Sequence, residues 1–360
     1  MNNKTEYIEL LKSIISTESF SRQEHKVAEL IRAFMSKKSF EYHKHENNTW
    51  AYNKYYDEAK PTILLNSHID TVKAGASWTI NPFEAKESDG KLYGLGSNDA
   101  GGALVSLLSV FSHFHDANNL PFNLIYAATA EEEISGAKGI TSILDKLPDI
   151  ALAIVGEPTE MQMAIAEKGL VVIDGEAHGK SGHAARDEGV NALYLALDDI
   201  KTLREFSFPK SSDLLGEVKI SVTQIEAGRN HNVVPDLCKF VIDVRTNEHY
   251  TNQEVLDILQ TQVKSDLKAR SLRLNSSSIE LEHPIVKRGL SLGMSYYGSP
   301  TLSDQALLPF QSIKLGPGHS SRSHTADEYI YMSEIYDAID KYISIIDNLA
   351  VSGYTRKKRI

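Results

Sequence analysis

Residues 63–70, which read ILLNSHID, decide the fold, because a buried strand runs there directly into polar side chains capable of chemistry. Side chains two residues apart on an extended segment point the same way, so His68 and Asp70 can line one wall of a cleft. An imidazole followed two residues later by a carboxylate suits a metal ligand and the partner that orients it. Asp99 supplies another carboxylate just before a predicted helix. Taken singly, His68 is equally compatible with a core histidine, and Asp99 with a helix cap.

Two further apolar strands end in acidic residues. The segment 122–130 leads into three glutamates at 131–133, and the segment 150–155 leads into Glu157. Helical patterns alternate with these strands, which predicts an α/β fold with a largely parallel sheet and its functional groups at the carboxyl ends of the strands. Three consecutive glutamates are commonly a solvated helix start, but the repetition at neighbouring strand ends favours a shared site.

The flanking sequence predicts helices on both sides of this core. Apolar residues at helical spacing predict a helix over residues 7–15, and residues 21–24 (SRQE) match a capping box that opens a second helix. Residues 40–55 have the pattern of a hairpin with its turn at 47–48. Apolar side chains between Ile335 and Leu349 predict a final helix that packs on the core.

The pattern changes near residue 170, where the elements follow the order β-α-β-β-α-β of a ferredoxin-like unit. Its second helix is predicted from a cap at Thr251 to about Leu267, and its last strand at 278–281. The sequence therefore predicts one domain formed by residues 1–169 and 284–360, with residues 170–283 inserted into it as a second domain.

Composition limits the partners and the location of the chain. A formal net charge of −10 disfavours nucleic acids and anionic membranes, and no run of 18 apolar residues predicts a membrane span. The basic run at 356–359 is more typical of a frayed tail than of a binding patch. Cys238 is the single cysteine, and the N-terminus lacks the apolar region of a signal peptide. We therefore expect a soluble, cytoplasmic protein.

The candidate site combines histidines, an aspartate and glutamates at strand ends. Two histidine–carboxylate sets that share one carboxylate would hold two divalent ions close enough to polarise a carbonyl group and activate a water molecule. Nitrogen and oxygen ligands suit zinc, with cobalt or manganese as alternatives. A further glutamate is then needed as a general base, which takes the proton from that water and passes it to the leaving amine.

Seven motifs along nearly the whole chain resemble those of the dinuclear-zinc amidohydrolases, which include acetylornithine deacetylase, succinyl-diaminopimelate desuccinylase, aminoacylase and carboxypeptidase G. The motifs are SHIDTV at 67–72, GLGSNDAGG at 94–102, EEE at 131–133, GEPT at 156–159, GHAAR at 182–186, NVVP at 232–235 with DVR at 243–245, and SHT at 323–325. One such motif is weak evidence, but seven in the same order are strong evidence. The resemblance implies a metal-dependent hydrolase of N-acyl-amino acids. It makes the domain of residues 1–169 and 284–360 the catalytic dinuclear-metal domain, and the inserted residues 170–283 a lid and dimerisation domain.

The resemblance also implies roles for the site residues. The metal ligands would be His68 and Glu157 for one ion, Glu133 and His324 for the other, and Asp99 as the bridge between them. Asp70 would orient the first histidine, and Glu132 would be the general base. Because three glutamates are consecutive, an alternative remains open in which Glu131 is the base and Glu132 the ligand.

Further residues would bind the substrate. The resemblance makes His183 an oxyanion donor that reaches the active site of a neighbouring subunit in a homodimer joined through the inserted domain. It places Arg245 and Asn232 on the α-carboxylate of the substrate, and Gly316 and Gly318 in a loop beside it. Arginine's planar guanidinium suits recognition of a carboxylate, although a strand arginine is ordinarily a surface charge.

The segments around the last ligands look most like the acetylornithine deacetylase branch, which removes an acyl group from ornithine or citrulline in arginine biosynthesis. Arg322 or Lys168 would receive a succinyl carboxylate if the substrate carries one. A di- or tripeptidase, a succinyl-diaminopimelate desuccinylase and a binding protein without turnover remain alternatives. Alanine stands at position 100, where many family members have lysine, and we expect the family's cis peptide bond at Asp99–Ala100.

Overall fold

The computed structural model describes residues 4–186 and 188–351, so the basic run at 356–359 lies outside the described residues. Its helices are α1 (Thr5–Ile15), α2 (His25–Lys37), α3 (Gly102–Phe114), α4 (Ala192–Glu205), α5 (Asn252–Gln262), α6 (Pro284–Ser291) and α7 (Met332–Ile346). The strands up to residue 183 are β1 (Tyr42–His45), β2 (Asn48–Tyr52), β3 (Thr62–His68), β4 (Lys86–Ser88), β5 (Lys91–Tyr93), β6 (Asn123–Thr129), β7 (Leu152–Val155), β8 (Met163–Glu167), β9 (Gly169–His178) and β10 (Gly182–His183). The later strands are β11 (Lys219–Ala227), β12 (Val233–Val234), β13 (Leu237–Thr246), β14 (Asp266–Ala269), β15 (Ser277–Ser278), β16 (Tyr296–Ser299), β17 (Ser312–Lys314) and β18 (Tyr329–Tyr331).

The chain divides into two compact units. The second unit consists of Ala166–Ser278 and Gly298–Leu302, and the first consists of the other described residues. None of the helices in the described part of the chain is long and apolar enough to cross a membrane.

The first unit is built on a mixed sheet with the strand order β1-β2-β6-β3-β7-β17. The pairs β3–β6, β3–β7 and β7–β17 are parallel, whereas the outer pairs β1–β2 and β2–β6 are antiparallel. All seven residues of β3 and all seven of β6 are buried, as expected for central parallel strands covered on both faces. The predicted α/β fold with a mostly parallel sheet is confirmed.

Most sequence predictions for the first unit are also confirmed. α1 and α7 form where the apolar periodicity placed helices, and the predicted hairpin forms as β1–β2. Its turn lies at Glu46 and Asn47, one residue earlier than predicted, because Asn48 already pairs with His45. The capping box at 21–24 is wrong, because Glu24 precedes α2 without a capping hydrogen bond from its side chain. The Ser21 hydroxyl donates instead to Asp70, at 2.7 Å, so it contacts the candidate site and does not cap the helix.

The second unit has a four-stranded antiparallel sheet in the order β11-β13-β9-β14, covered by α4 and α5. This is the strand order of the predicted β-α-β-β-α-β unit. The predicted end of that unit is wrong, because α5 ends at Gln262 and the closing strand is β14, not 278–281. The reason is Asp199, whose carboxylate accepts the backbone N–H groups of Lys264 and Ser265 and so fixes a turn inside the predicted helix.

Candidate metal centre

The register of the parallel strands brings the predicted site together. His68 at the end of β3 pairs with Thr129 at the end of β6, and Asn66 pairs with Val155 at the end of β7. The residues that follow these strand ends therefore emerge at one edge of the sheet, where ligand sites form in open parallel sheets. This register is why acids far apart in the sequence lie close together.

Asp99 lies between the two predicted histidine ligands. Its Oδ1 is 3.3 Å from Nε2 of His68, and its Oδ2 is 3.7 Å from Nε2 of His324. Oε1 of Glu157 is 3.8 Å from Nε2 of His68, and Oε2 of Glu133 is 3.0 Å from Nε2 of His324. Two donors on one tetrahedral zinc ion lie about 3.4 Å apart, because each metal–donor bond is about 2.1 Å long. These donors therefore fit two ions that share Asp99.

Glu132 belongs to the same cluster. The donor atoms of His68, Glu132 and Glu157 lie within 4.8 Å of one another, as do those of His68, Asp99 and Glu133. Burial, together with the nearby charge on Glu157, raises the pKa of Glu132 well above its usual range. Burial also raises the pKa of Glu157 to about 8. A bound divalent cation reverses this effect, since it favours the ionised form of each acid.

Glu131 faces away from this cluster. Its Oε2 accepts the backbone N–H of Lys138 at 3.1 Å, and its main-chain carbonyl accepts the N–H of Gly136 at 2.7 Å. A Cβ at Gly136 would lie 2.0 Å from Oε2 of Glu131, so the following loop wraps closely around this carboxylate. Of the three consecutive glutamates, the second and third face the donor cluster, and the first holds the loop.

Asp70 holds the backbone that carries those two glutamates. Its Oδ1 accepts the N–H of Glu132 at 3.0 Å, and its Oδ2 accepts the N–H of Glu133 at 3.2 Å. Nδ1 of His68 lies 2.8 Å from the main-chain oxygen of Asp70 but 3.6 Å from its Oδ1. A carbonyl oxygen only accepts, so Nδ1 carries a proton, and in the neutral ring Nε2 is the nitrogen that can bind a metal ion. The main chain of Asp70 thus orients the imidazole, and its carboxylate orients the glutamate pair.

Glu328, which the sequence analysis did not single out, holds the segment that carries Asp99. This carboxylate is 2% exposed, and it accepts the backbone N–H groups of Gly96, Asn98 and Asp99 at 3.1, 2.8 and 2.9 Å. Burial and the neighbouring Asp99 charge raise the pKa of Glu328 to about 8. The only sequence signal was its position four residues after His324. The Asp99–Ala100 peptide bond is cis, as expected.

Asp304 is a second buried acid that the sequence analysis did not single out. Its Oδ2 accepts hydrogen bonds from Nδ2 of Asn66 at 2.8 Å and from the hydroxyl of Thr129 at 3.0 Å. Burial raises the pKa of Asp304 to about 6. It therefore links the ends of β3 and β6 beneath the donor cluster, and no local motif around it signals this position.

The predicted loop glycines have a steric role that the structure makes plain. A Cβ at Gly316 would lie 2.3 Å from the main-chain oxygen of Glu157, so only glycine allows this close approach. Gly318 has a φ of 85°, and a Cβ there would lie 2.3 Å from Oδ1 of Asn98. Both glycines let their loop pack against segments that carry candidate ligands.

Arg322 and Lys168, the two residues predicted to bind a succinyl carboxylate, already donate hydrogen bonds within the protein. Arg322 donates to both carboxylate oxygens of Glu334, at 2.7 and 3.0 Å, and lies over the rings of Tyr329 and Tyr331. Nζ of Lys168 donates to a main-chain oxygen within the second unit at 3.1 Å. For Arg322 to bind a substrate carboxylate, it must therefore give up its bidentate pair with Glu334.

Within the second unit, the structure brings His183 and Asn232 together but not Arg245. His183 pairs with Val233, and the N–H of Ala184 donates to the main-chain oxygen of Asn232 at 3.0 Å. Arg245 lies at the other end of β13, where Nε and Nη2 donate to Asp243 at 2.8 and 3.1 Å. The strand separates the two ends by about 27 Å, because eight steps of about 3.4 Å lead from residue 237 to residue 245. Asn232 and Arg245 of one copy therefore do not meet at a single carboxylate.

Comparison with known proteins identifies the class of this chain. Residues 64–348 match peptidase family M20/M25/M40, and the chain therefore belongs to that family. It is a metallo-hydrolase, which confirms the predicted enzyme class.

The chain is similar to several characterised or solved family members. It is 25% identical over 353 residues to the succinyl-diaminopimelate desuccinylase of Orientia tsutsugamushi strain Boryong, covering 92% of this chain and 87% of the relative. It is 29% identical over 315 residues to the acetylornithine deacetylase of Proteus mirabilis, covering 81% and 80%. The crystal structure of the Bacillus subtilis YXEP protein, described as a dinuclear metal-binding peptidase, matches with a TM-score of 0.74 at 15% identity, covering 97% and 99%.

Proposed function

We propose that this chain hydrolyses the amide bond of an N-acyl-amino acid at a centre of two divalent metal ions. The substrate we propose is the N-acetyl or N-succinyl derivative of ornithine or citrulline, cleaved in arginine biosynthesis. The single observation that carries this proposal is the position of Asp99, whose two oxygens face two different histidines. A carboxylate in that position suits a bridge between two ions.

The proposed ligands form two sets on the first unit. They are His68, Glu157 and Asp99 for one ion, and Glu133, His324 and Asp99 for the other. Zinc suits this mixture of nitrogen and oxygen donors, with cobalt or manganese as alternatives. Bound ions of this kind polarise a substrate carbonyl and lower the pKa of a water molecule.

Glu132 is the proposed general base. It lies in the donor cluster, while Asp70 fixes its backbone N–H, so its carboxylate is held beside the place where water would react. In this role it accepts the proton of the attacking water and then donates it to the leaving amine. A pKa raised above the usual glutamate range suits a group that must both accept and release a proton near neutral pH.

His183 is the proposed oxyanion donor, contributed by a second copy of the chain. Its Nδ1 accepts the backbone N–H of Ala185 at 3.1 Å, so a neutral ring carries its proton on Nε2. That N–H is a donor of the kind that stabilises a tetrahedral oxyanion. Because Asn232 and Arg245 lie at opposite ends of β13, we propose that two copies each contribute one of them to a given substrate.

The second unit also carries the surface we propose for the homodimer. Tyr194 and Leu197 lie one helical turn apart on α4, and their exposed fractions are 66% and 48%. Ile225, 48% exposed, lies on β11 at the edge of the four-stranded sheet. Exposed apolar side chains of this size are typical of association surfaces.

The choice of substrate is supported by relatives named acetylornithine deacetylase, among them the Proteus mirabilis protein. There are two alternatives, one supported by a named relative and the other only by likeness of fold. The Orientia tsutsugamushi relative favours a succinyl-diaminopimelate desuccinylase, and the structural likeness to solved peptidases extends to a tripeptidase of Staphylococcus aureus. All three reactions break an amide bond, so the metal centre does not separate them.

A substrate panel separates these functions. Metal-stripped protein, with and without added zinc or cobalt, is incubated with acetyl- and succinyl-ornithine, acetyl- and succinyl-citrulline, succinyl-diaminopimelate, a dipeptide and a tripeptide, and released amine is measured. We expect metal-dependent release from one of the ornithine or citrulline derivatives. Preferred cleavage of succinyl-diaminopimelate or of a peptide would replace the proposed substrate. No turnover with metal bound would favour a binding protein.

A further inference from the structure

Glu328 is a buried acid whose side-chain hydrogen bonds all go to the segment that carries Asp99. Its Oε1 accepts two backbone N–H groups, those of Asn98 and Asp99, and its Oε2 accepts that of Gly96. It therefore fixes the main chain on which the proposed bridging carboxylate is mounted, without being among the proposed ligands itself.

The main chain of Glu328 joins two ligand-bearing segments. Its carbonyl oxygen accepts the N–H of Gly94 at 3.0 Å, and the next residue, Tyr329, pairs with Tyr93 in the β5–β18 ladder. Four residues earlier in the same segment is His324. Glu328 thus connects the segments of Asp99 and His324 through both its backbone and its carboxylate.

Stability alone does not explain this arrangement. Asp199 in the second unit also accepts backbone N–H groups, those of Lys264 and Ser265, but neither of these residues is an acid. Glu328, in contrast, is held against the segment of another carboxylate, that of Asp99, and two acids close together in a buried place repel each other. The three backbone N–H groups on Glu328 offset part of this repulsion, and a cation on Asp99 would offset more of it.

We propose that Glu328 is a positioning residue that holds Asp99 so that its Oδ2 reaches the ion at His324. This inference rests on the two-metal centre proposed above. Glu328 would not touch either ion or the substrate, and its effect would pass through the backbone of residues 96–99.

The ion at His324 should depend on Glu328 more than the ion at His68 does. His68 ends a central strand and its side chain is 1% exposed, so its position is fixed by the sheet. The side chain of His324 is 55% exposed, and both this residue and Glu133 lie outside the regular strands and helices. The more exposed ion therefore relies on loops, two of which are joined by Glu328.

The test is a cobalt titration of the full-length, metal-stripped protein, followed by visible absorption and by electron paramagnetic resonance. The variants are Glu328→Gln and Glu328→Asp, and the matched control is Asp199→Asn, which changes another buried acid that accepts backbone N–H groups. We expect Glu328→Gln to bind the first ion within about threefold of the unmodified chain and the second about 10- to 100-fold more weakly, the usual cost of losing a partner behind a metal site. The magnetic coupling between two ions should be lost in parallel, whereas Asp199→Asn should lose thermal stability and keep both ions.

The outcomes distinguish the inference from the proposed function. An unmodified chain that binds only one ion would overturn the two-metal centre, and with it this inference. If that chain binds two coupled ions and Glu328→Gln does the same, or loses both ions equally, Glu328 is a structural acid only. Should Glu328→Gln not fold, Glu328→Asp, which keeps the charge but is one methylene shorter, must show the selective loss of the second ion, and equal affinities would overturn the inference.

Discussion

The donor cluster of the first unit and the four-stranded sheet of the second unit differ in how their charged side chains are placed. In the first unit, the carboxylates around His68 are largely buried, with the side chains of Asp99 and Glu157 14% and 12% exposed. In the second unit, acids and bases form cross-strand pairs in solvent, such as Arg270 with Asp174, which are 54% and 45% exposed. Buried like charges oppose folding, whereas exposed ion pairs contribute little to it.

This difference indicates which charged side chains have a catalytic or metal-binding function. Acids that repel one another in a water-poor place are typical of functional sites, and here the two cations proposed above would use them. Exposed ion pairs need no functional explanation, because they neither oppose nor favour folding strongly. Substitutions should therefore have large and metal-dependent effects in the first unit and small, metal-independent effects in the sheet of the second.

The largest expected effect is on the consecutive glutamates. Glu132→Gln should lower turnover by about 10²- to 10⁴-fold with metal content unchanged, because it removes the proposed proton carrier but none of the proposed ligands. Glu131→Gln is the matched control, since this carboxylate faces Lys138 and not the donor cluster. It should keep most of the activity. Turnover and bound metal are measured on the same samples. If Glu131→Gln instead lost turnover and Glu132→Gln kept it, Glu131 would be the base.

The next effect is on the stability of the metal-free protein as a function of pH. Glu157 and Glu328 both have a pKa raised to about 8, so the folded chain binds their protons more tightly than the unfolded chain does. The free energy of unfolding is therefore highest below the ordinary glutamate pKa and falls as pH rises toward 8, by about 1.4 kcal/mol per pH unit for each proton held. Calorimetry between pH 5.5 and 8.5, with and without zinc, measures this effect at roughly half-unit steps. Zinc should remove most of this decline in the free energy of unfolding. A metal-free protein that becomes more stable as pH rises would contradict the prediction.

A smaller effect is expected from Ser21, which connects α2 to the site. Its hydroxyl donates to Oδ2 of Asp70, the atom that also accepts the N–H of Glu133. Ser21→Ala should lower the free energy of unfolding by about 1 kcal/mol, the usual net worth of a hydrogen bond to a buried acceptor. Turnover should fall only severalfold, because two backbone N–H groups still hold Asp70. Ser13→Ala, which removes an exposed hydroxyl on α1, is the control.

The sequence predicted the parts of the site that strand ends and motifs define. The apolar runs before His68 and Glu157 placed both residues at one sheet edge, because parallel strands carry a periodicity and a direction that are readable from sequence. The ferredoxin-like order was readable for the same reason. The choice among the three glutamates came from the family resemblance and left one alternative open, since it depends on which way a loop turns after β6.

What the sequence could not predict depends on contacts between distant segments. Glu328 and Asp304 accept hydrogen bonds from residues more than 170 positions away. Apart from the position of Glu328 four residues after His324, nothing local distinguishes them from surface acids. The sequence around Ser21 is typical of a helix cap, yet its hydroxyl donates to Asp70, which is distant in the sequence. The early end of α5 has the same cause, because Asp199, 65 positions away, binds the backbone at Lys264.

The smallest effect is expected from the exposed pair in the second unit. Arg270 donates through Nε and Nη2 to Asp174, but both side chains remain in solvent, where water and salt screen their attraction. Arg270→Ala should therefore leave the midpoint of thermal unfolding and the metal affinity unchanged within error, at low and at high salt. Asp174→Asn is the reciprocal variant and should behave alike. A clear loss of metal affinity in either would show that charges on this sheet influence the donor cluster, and would remove the contrast between the two units.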